Sequence, residues 1–286
     1  MSTQTFDPAA YKAGQRRDWT EAAGGWAKWW HHLEAASGPV GDRLIQLAAV
    51  RAGHRVLDVA TGIGEPAVTA ARLVGPAGRV VGTDISPGML KVARERAAEL
   101  GLENVEFHEM DAEVLDLPES SFDTVLCRFG LMFLPDVDRT LVDIRRLLVP
   151  GGRFAASVWG PPDRYPMATA AFGAVARVLE LPAPVAGTPG IFSLADGDEL
   201  AGRFRAAGFA DVLTETLLVS FEFDSLDEYM RFLQEVAAPI KNLLADESPE
   251  RRAQVWRAVG EANEQFVGAD GRLQASGESI LVAGRR

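Results

Sequence analysis

From residue 54 onward the chain alternates short β-branched runs with longer stretches of helical spacing, and that alternation admits few folds besides a parallel sheet crossed by helices. The runs are RVLDVA (55–60), RVVGTD (79–84), NVEFHEM (104–110), FDTVLC (122–127) and GRFAASVW (152–159). Helix signals fill the gaps. Ser86 and Pro87 make an N-cap and first-turn pair for a helix through MLKVARERAAEL that stops at Gly101. Asp196, with Glu199 three residues on, opens DELAGRFRAAGF, which ends near Gly208. Beyond it DVLTETLLVSFEF predicts a long strand, and Ser225 with Glu228 a capping box for a helix to about Pro239. Ser248, Pro249 and Glu250 start a helix over ERRAQVWRAVGEANEQF, and ESILVAGRR is strand-like. Two pieces stand outside the alternation. Residues 1–52 are expected to be helical with a break at Gly24 and Gly25, and a Pro-rich link runs from 160 to 195. There is no internal repeat and no low-complexity tract.

Composition narrows the chemistry. Lys and Arg number 29 against 40 Asp and Glu, a formal net charge of -11 with no long basic run. Affinity for nucleic-acid backbones comes largely from cations displacing counterions, so no nucleic-acid partner is expected. A single cysteine, Cys127, excludes an internal disulfide framework and a zinc site of several thiolates. It fits buried packing in a reducing cytoplasm. The first residues lack a basic start followed by an apolar run, and no stretch of about 18 apolar residues occurs, so a soluble, cytoplasmic protein with no membrane partner is expected. The carboxylates show no metal-ligand spacing, and no metal is expected.

The stretch VLDVATGIGEPAV (56–68) joins a strand, a glycine turn and a helix. Gly62, Gly64 and Ala67 satisfy the GxGxxG/A spacing that holds a dinucleotide pyrophosphate at a helix N-terminus. Spacing alone does not decide the ligand. Glu65 is expected in the first helical turn, beside the amides a pyrophosphate would use, and Asp58 adds a negative charge just before the turn. A ligand with positive charge and no phosphate fits better. An NAD-dependent oxidoreductase is the main rival, since it too carries an acid near the position of Asp84.

Four motifs follow in order: VLDVATGIGEP, VVGTDISPGML, EMDAEVLDLPESSFDTVLCRFGLMFLPD and RRLLVPGGRF. Together they resemble the class I S-adenosylmethionine-dependent methyltransferases, and within them the ubiquinone/menaquinone C-methyltransferase-like small-molecule group. The likeness is strong over about 54–160, loose over the N-terminal helices and weak from 160 to 275. It implies an α/β, doubly wound, Rossmann-like and mostly parallel seven-stranded sheet with an antiparallel last strand, plus N-terminal and inserted lid helices. The parts would be a helical cap (1–52), a cofactor core (53–160), and the lid, remaining strands and substrate region (161–286), in one integrated domain. The implied cofactor is S-adenosylmethionine, and the implied reaction is methyl transfer to oxygen, nitrogen or activated carbon of a small-molecule acceptor. Carried over by position, Gly62 and Gly64 let the backbone approach the methionine half, with Asp58 and Ala60 near its ammonium. Asp84 would accept both ribose hydroxyls, Ile85 and Met89 would line the adenine face, and Asp111 and Ala112 would meet its edge. Arg128 would sit at the methionine end through its backbone.

The acceptor side is less sharply drawn. WTEAAGGWAKWWHHLEAA holds Trp19, Trp26, Trp29 and Trp30, which could be core or could close over the cofactor and acceptor. His31 and His32, being adjacent, face different sides of a helix; one could be a general base, a solvated pair being the plainer reading. His54 is expected exposed in a turn, and His108 in the core. The link carries Trp159, Tyr165 and Phe192 at the sheet's carboxyl edge, where loops cover ligands in open α/β sheets. Candidate acceptor contacts are therefore Trp26, Trp30, Phe129, Trp159, Tyr165 and Phe192. Alignment of two reactants is worth up to roughly 7–11 kcal/mol, so no side chain need be indispensable to the chemistry. A non-enzymatic binder of the same cofactor stays open as a second rival; an arsenite methyltransferase, which needs several thiols, does not.

Overall fold

A computed structural model of the chain describes residues 6–183, 185 and 187–286. Seven strands form one sheet: β1 (Arg55–Val59), β2 (Arg79–Asp84), β3 (Val105–Glu109), β4 (Phe122–Arg128), β5 (Leu148–Trp159), β6 (Ala210–Phe223) and β7 (Leu273–Arg285). Their order is β3-β2-β1-β4-β5-β7-β6. The first five run parallel, and β7 inserts antiparallel between β5 and β6. Strand order reverses between β1 and β4, and the crevice outside the carboxyl ends of such neighbours is where open α/β sheets take ligands.

The helices are α1 (Pro8–Lys28), α2 (Trp30–Leu47), α3 (Ala67–Val74), α4 (Pro87–Glu99), α5 (Val137–Leu147), α6 (Pro166–Leu179), α7 (Gly197–Ala206), α8 (Leu226–Val236), α9 (Ala238–Leu243) and α10 (Pro249–Asn263). The caps follow the sequence signals. Ser86 Oγ accepts the Met89 N–H at 3.1 Å at the start of α4, and Asp196 accepts the amides of Asp198 and Glu199 at the start of α7. Gly101 and Gly208, at φ +64 and +89, take the left-handed turns that follow those two helices. At α8 Ser225 Oγ accepts the Glu228 N–H, while the Glu228 carboxylate reaches the amide of Asp224, one residue before the cap. This helix stops at Val236, short of the expected Pro239, because Pro239 opens the first turn of α9.

Two expectations are corrected. Gly24 and Gly25 do not break the N-terminal helix: both lie inside α1, and the break falls at Trp29. A Cβ on Gly25 would lie 2.1 Å from the Glu235 carbonyl oxygen, so this glycine lets α1 lie directly against α8. Gly88 does the same on the other flank, where a Cβ would lie 2.8 Å from the Thr20 carbonyl oxygen. Within the Pro-rich link Pro166 starts the 14-residue α6, an inserted helix of the kind expected there. Strand β7 begins at Leu273, ahead of the expected ESILVAG segment, because β6 pairs with it as far as Phe223↔Leu273.

The main apolar core runs from Ala36 to Ala283 through both faces of the sheet and includes the stacked rings of Phe154 and Phe204 at 5.1 Å. A second cluster joins α6, α9 and α10 through Val175, Ile240, Val255 and Val259. A third, formed by Ala22, Ala23, Ile63, Met89 and Ala238, seals α1 onto the sheet's carboxyl edge. Among the described residues no helix is long and apolar enough to cross a membrane.

The two glycines of α1 separate packing from propensity. Gly25→Ala should destabilise the fold by about 1–3 kcal/mol through overpacking against α8. Gly24→Ala, whose Cβ meets nothing within 4 Å, should stabilise by up to about 1 kcal/mol. Urea denaturation of the two variants checks the pair, and equal shifts would refute the close-packing account.

Candidate active site

A cavity of about 290 Å³ opens at the carboxyl ends of β1, β2, β4 and β5, roofed by α1, the start of α2, α6, α8 and α9. Its first end is the glycine turn. Ala60, Gly62 and Gly64 have φ of +55, +56 and +100, so the chain doubles back within five residues of leaving β1. Asp58 lies fully buried beneath this turn: its Oδ2 accepts Thr61 Oγ1 at 2.6 Å and the Ala67 N–H at 3.0 Å, while its Oδ1 has no partner. Glu65 comes before α3 and not within its first turn, because Pro66 occupies the N-cap position. Its carboxylate nevertheless reaches forward, Oε2 accepting both the N–H and the hydroxyl of Thr69. The other oxygen pairs with Arg96 at 3.1 Å. Arg96 also donates to the Ile63 carbonyl at 2.6 Å and lies 3.8 Å over the ring of Trp30. First-turn amides of α3 that a pyrophosphate would claim are thus taken by Asp58 and Glu65. Arg96 offsets the charge of Glu65, leaving Asp58 and Asp84 as the negative groups at the turn.

Asp84 ends β2, is 8% exposed, and accepts the Gly62 N–H at 2.8 Å and the Ser86 N–H at 2.9 Å. Burial pushes its carboxyl up to about 6 against those amide bonds. Burial pushes Asp58 further, to about 7, opposed by Thr61 and the guanidinium of Arg128. Beside Asp84 the wall continues through Ile85, Met89, Met110 and Ala112 to Asp111. There Lys12 of α1 binds Asp111 at 2.7 Å and Glu113 at 2.8 Å. Across the cavity the Arg128 guanidinium pairs with Glu34 at 3.1 Å and donates to the Ser37 carbonyl, tying β4 to α2.

The second end is aromatic. Phe129 follows β4 with φ +57, its N–H donating to the Ser157 carbonyl at 2.9 Å and to Ser157 Oγ at 3.2 Å. Its ring stacks on Trp159 at 4.6 Å, and Trp159 leans on Tyr165, also at 4.6 Å. Phe172, Ile191, Phe221, Tyr229, Phe232 and Leu233 complete this end. Among the described lining residues the charged ones, Lys12, Glu34, Glu65, Asp84, Asp111 and Arg128, gather around the turn and the adjoining edges of α1 and α2.

Of the residues singled out by sequence, the cavity brings together Ala60, Gly62, Asp84, Ile85, Met89, Asp111, Ala112, Arg128, Trp26, Trp30, Phe129, Trp159 and Tyr165. Asp58 and Gly64 stand behind the wall; a Cβ on Gly64 would lie 3.2 Å from that of Ala93, so this glycine packs the turn against α4. Phe192 lines a separate recess beside Asp196 and Glu278. His31 and His32 do not line the cavity. The inward positions of α2 at helical spacing belong to Trp30, Leu33, Glu34 and Ser37, which turns His31 to solvent and sets His32 against Phe223 at 4.8 Å with Nε2 2.5 Å from the Glu222 carbonyl oxygen. His108 is exposed on the edge strand β3 and not in the core, 3.6 Å from Glu106. His54 is half-buried near Thr124, not exposed. Cys127 is enclosed, and burial pushes its thiol up to about 12. Trp19, Trp26 and Trp30 face the cavity, whereas Trp29 packs on Phe232 and donates to Glu235. Lys12 and Gln15 were missed, and no local signal marks them: Lys12 meets its partners 99 and 101 residues away.

Residues 51–177 match the family described as "Methyltransferase domain". Over 127 residues the chain is 43% identical to the ubiquinone/menaquinone biosynthesis C-methyltransferase UbiE of Pseudomonas putida, which takes in 44% of this chain and 50% of that protein. The chain spans about half the length of such curated relatives. In fold it is similar to the YcgJ protein of Bacillus subtilis, with a TM-score of 0.58 over 86% of this chain and 97% of the other at 24% identity. It is also similar to phosphoethanolamine N-methyltransferase 2 of Haemonchus contortus, with a TM-score of 0.61 over 96% and 60% at 18% identity. Over residues 51–177 the chain is therefore similar to methyltransferase domains. Within that class its sequence likeness runs to the ubiquinone/menaquinone C-methyltransferases.

The Arg96–Glu65 pair is buried on both sides, so Arg96→Gln should cost about 3–5 kcal/mol by leaving an uncompensated carboxylate. Adding Glu65→Gln should recover most of that loss. Chemical denaturation of the two single variants and the double checks the cycle; additive losses would contradict the coupling.

Proposed function

We propose that the protein is a cytoplasmic enzyme that transfers the methyl group of S-adenosylmethionine to oxygen, nitrogen or activated carbon of a small-molecule acceptor. The observation that carries this reading is the filled helix N-terminus: Asp58 holds the Ala67 amide and Glu65 the Thr69 amide, so a pyrophosphate would meet two buried carboxylates in place of free donors. The NAD-dependent alternative fails at the same place. A cationic ligand suits it, because Asp58 Oδ1 is a buried oxygen without a partner and burial raises the carboxyl of Asp84 above its ordinary pKa, a cost that a nearby positive charge offsets.

In this reading Asp84 keeps one lone pair on each oxygen for a ribose hydroxyl while the others stay on Gly62 and Ser86. Gly62 and Ala60 bring the backbone to the amino-acid half, with Gly64 closing the turn on α4 and Asp58 supplying negative potential from below. Arg128 and Glu34 brace the same half. Ile85, Met89 and Ala112 flank the adenine, and Asp111, held by Lys12, meets its edge. The cofactor supplies the activated methyl group. The chain aligns the acceptor and excludes water through α1, α6 and α8, and none of the aromatic-end residues is a carboxylate or an imidazole. A protein that only binds the cofactor would show the same turn, and turnover with labelled cofactor and an acceptor library separates the two.

Isothermal titration should show S-adenosylhomocysteine binding and no NAD binding; the reverse would end this reading. Asp84→Ala should weaken that binding at least tenfold, about 1.4 kcal/mol. The pH dependence has a definite sign. With folded values of about 7 and about 6 against an ordinary 3.8, Asp58 and Asp84 bind protons more tightly in the folded state. Their contribution to stability is full below the ordinary value and is lost as pH rises through 6 and 7. A ligand bearing an ammonium is held by the ionised forms, so its affinity should increase across that same window. An affinity flat from acid to neutral pH would contradict the assignment.

A further inference from the structure

One helix covers the residues at the turn end of the cavity. Lys12, Gln15, Trp19 and Trp26 of α1 line that cavity at helical spacing, and Ala22 and Ala23 pack over Ile63 and Met89. Asp84 is 8% exposed and Met89 2%, so a molecule seated against them lies beneath this helix. The helix ends at a break: Trp29 leaves the helical backbone at φ -94 and ψ 11, and α2 starts directly after it. At a helical rise of about 1.5 Å per residue, Lys12 stands roughly 25 Å from that break.

The charged junction of the helix is at this far end. Lys12 Nζ donates to Asp111 Oδ2 at 2.7 Å and to Glu113 Oε2 at 2.8 Å, its side chain 26% exposed and that of Glu113 7%. The receiving side is fixed independently of α1. Asp111 Oδ1 accepts the Glu113 N–H at 2.9 Å, and Glu113 Oε1 accepts the N–H of Asp136, the cap of α5. Among the described residues the other polar ties of this half of α1 are weaker. Arg16 and Glu109 are both about half exposed, Arg17 reaches Asn242 only at 3.4 Å, and the hydroxyls of Thr20 and Ser86 share one bond. Lys12 lies outside the matched residues 51–177.

We infer that Lys12 is the latch of a hinged roof: α1 turns about the break at Trp29 to pass S-adenosylmethionine and its product, and the two ion pairs of Lys12 set how fast it opens. The identity of the guest rests on the methyl-transfer reading; the hinge and the latch do not. Both pairs join one part of the chain to another, so they close the roof over a bound and an unbound cleft alike. Removing them therefore cancels from the affinity and appears in the rates. Asp111 keeps its orientation without Lys12, because the Glu113 amide still holds its other oxygen.

The test is stopped-flow tryptophan fluorescence of the full chain with S-adenosylhomocysteine, with Trp19, Trp26 and Trp30 of the cavity wall as reporters. Lys12→Met should raise the association and dissociation rates together, each about tenfold, and leave the affinity within about threefold. Lys12→Arg should restore the slow rates, and Arg16→Met, which breaks the exposed pair on the same helix, should change neither. Unchanged rates in Lys12→Met overturn the latch. Faster dissociation with association unchanged also overturns it, since Lys12 would then be a contact to the ligand, and so does equal acceleration by Arg16→Met. Should S-adenosylhomocysteine fail to bind the wild-type protein, the methyl-transfer reading falls, and deuterium exchange of the unliganded chain still decides the latch. Amides of residues 8–20 should then exchange about tenfold faster in Lys12→Met than in wild type or Arg16→Met, with α8 unchanged, and equal protection refutes the inference.

Discussion

The buried carboxylate of Asp58 is the constraint on which the rest of the site depends. One oxygen ties the end of β1 to Thr61 and to the first residue of α3, fixing where the glycine turn begins and where the helix starts. Burying a carboxylate is costly unless it is hydrogen-bonded or paired, and here one oxygen is satisfied while the other is left to the field of whatever lies above. Asp84 holds the turn from the neighbouring strand through the Gly62 amide. Glu65 extends the network outward through Arg96 to Trp30, so a single connected set of contacts links the turn to the helices that cover it.

That cover is held mainly by close packing. Gly25 and Gly88 let α1 approach α8 and α4 to backbone contact, and Trp26 adds a hydrogen bond to the Val236 carbonyl. Exposed pairs such as Arg16–Glu109 add little, since solvent screens them. Lys12 differs because it is half-buried and meets two carboxylates at the rim of the cavity. The roof is therefore seated on the residues that would frame the adenine, and opening it means separating both the packing and that charged junction.

The cavity has two chemically unlike ends, and the sheet explains why. Charge collects at the turn between β1 and β4, where backbone amides and helix starts can satisfy it. The aromatic end lies further along, over β5, β6 and β7, and draws its walls from α6 and α8. Separating the two lets buried carboxylates and an apolar chamber share one crevice without either forcing an unpaired charge on the other.

What was legible in the sequence is what local physics fixes. Strand periodicity, the caps at Ser86, Asp196, Ser225 and Ser248, and the residues within a few positions of each strand end follow from neighbours along the chain, so the sheet and the turn end of the cavity could be read directly. Where a residue's role depends on something remote, the local rule failed. Gly24 and Gly25 have the composition of a break, yet Gly25 serves a helix more than 200 residues away, and His31 and His32 could not be assigned a face until α2 was placed. Lys12 and Tyr229 came to light only in three dimensions, because contacts between segments far apart in the chain are set by how helices stack on the sheet. The sequence by itself determined the parallel α/β core and the acidic turn; the tertiary structure alone decided which side chains roof that turn and what chamber lies beside it.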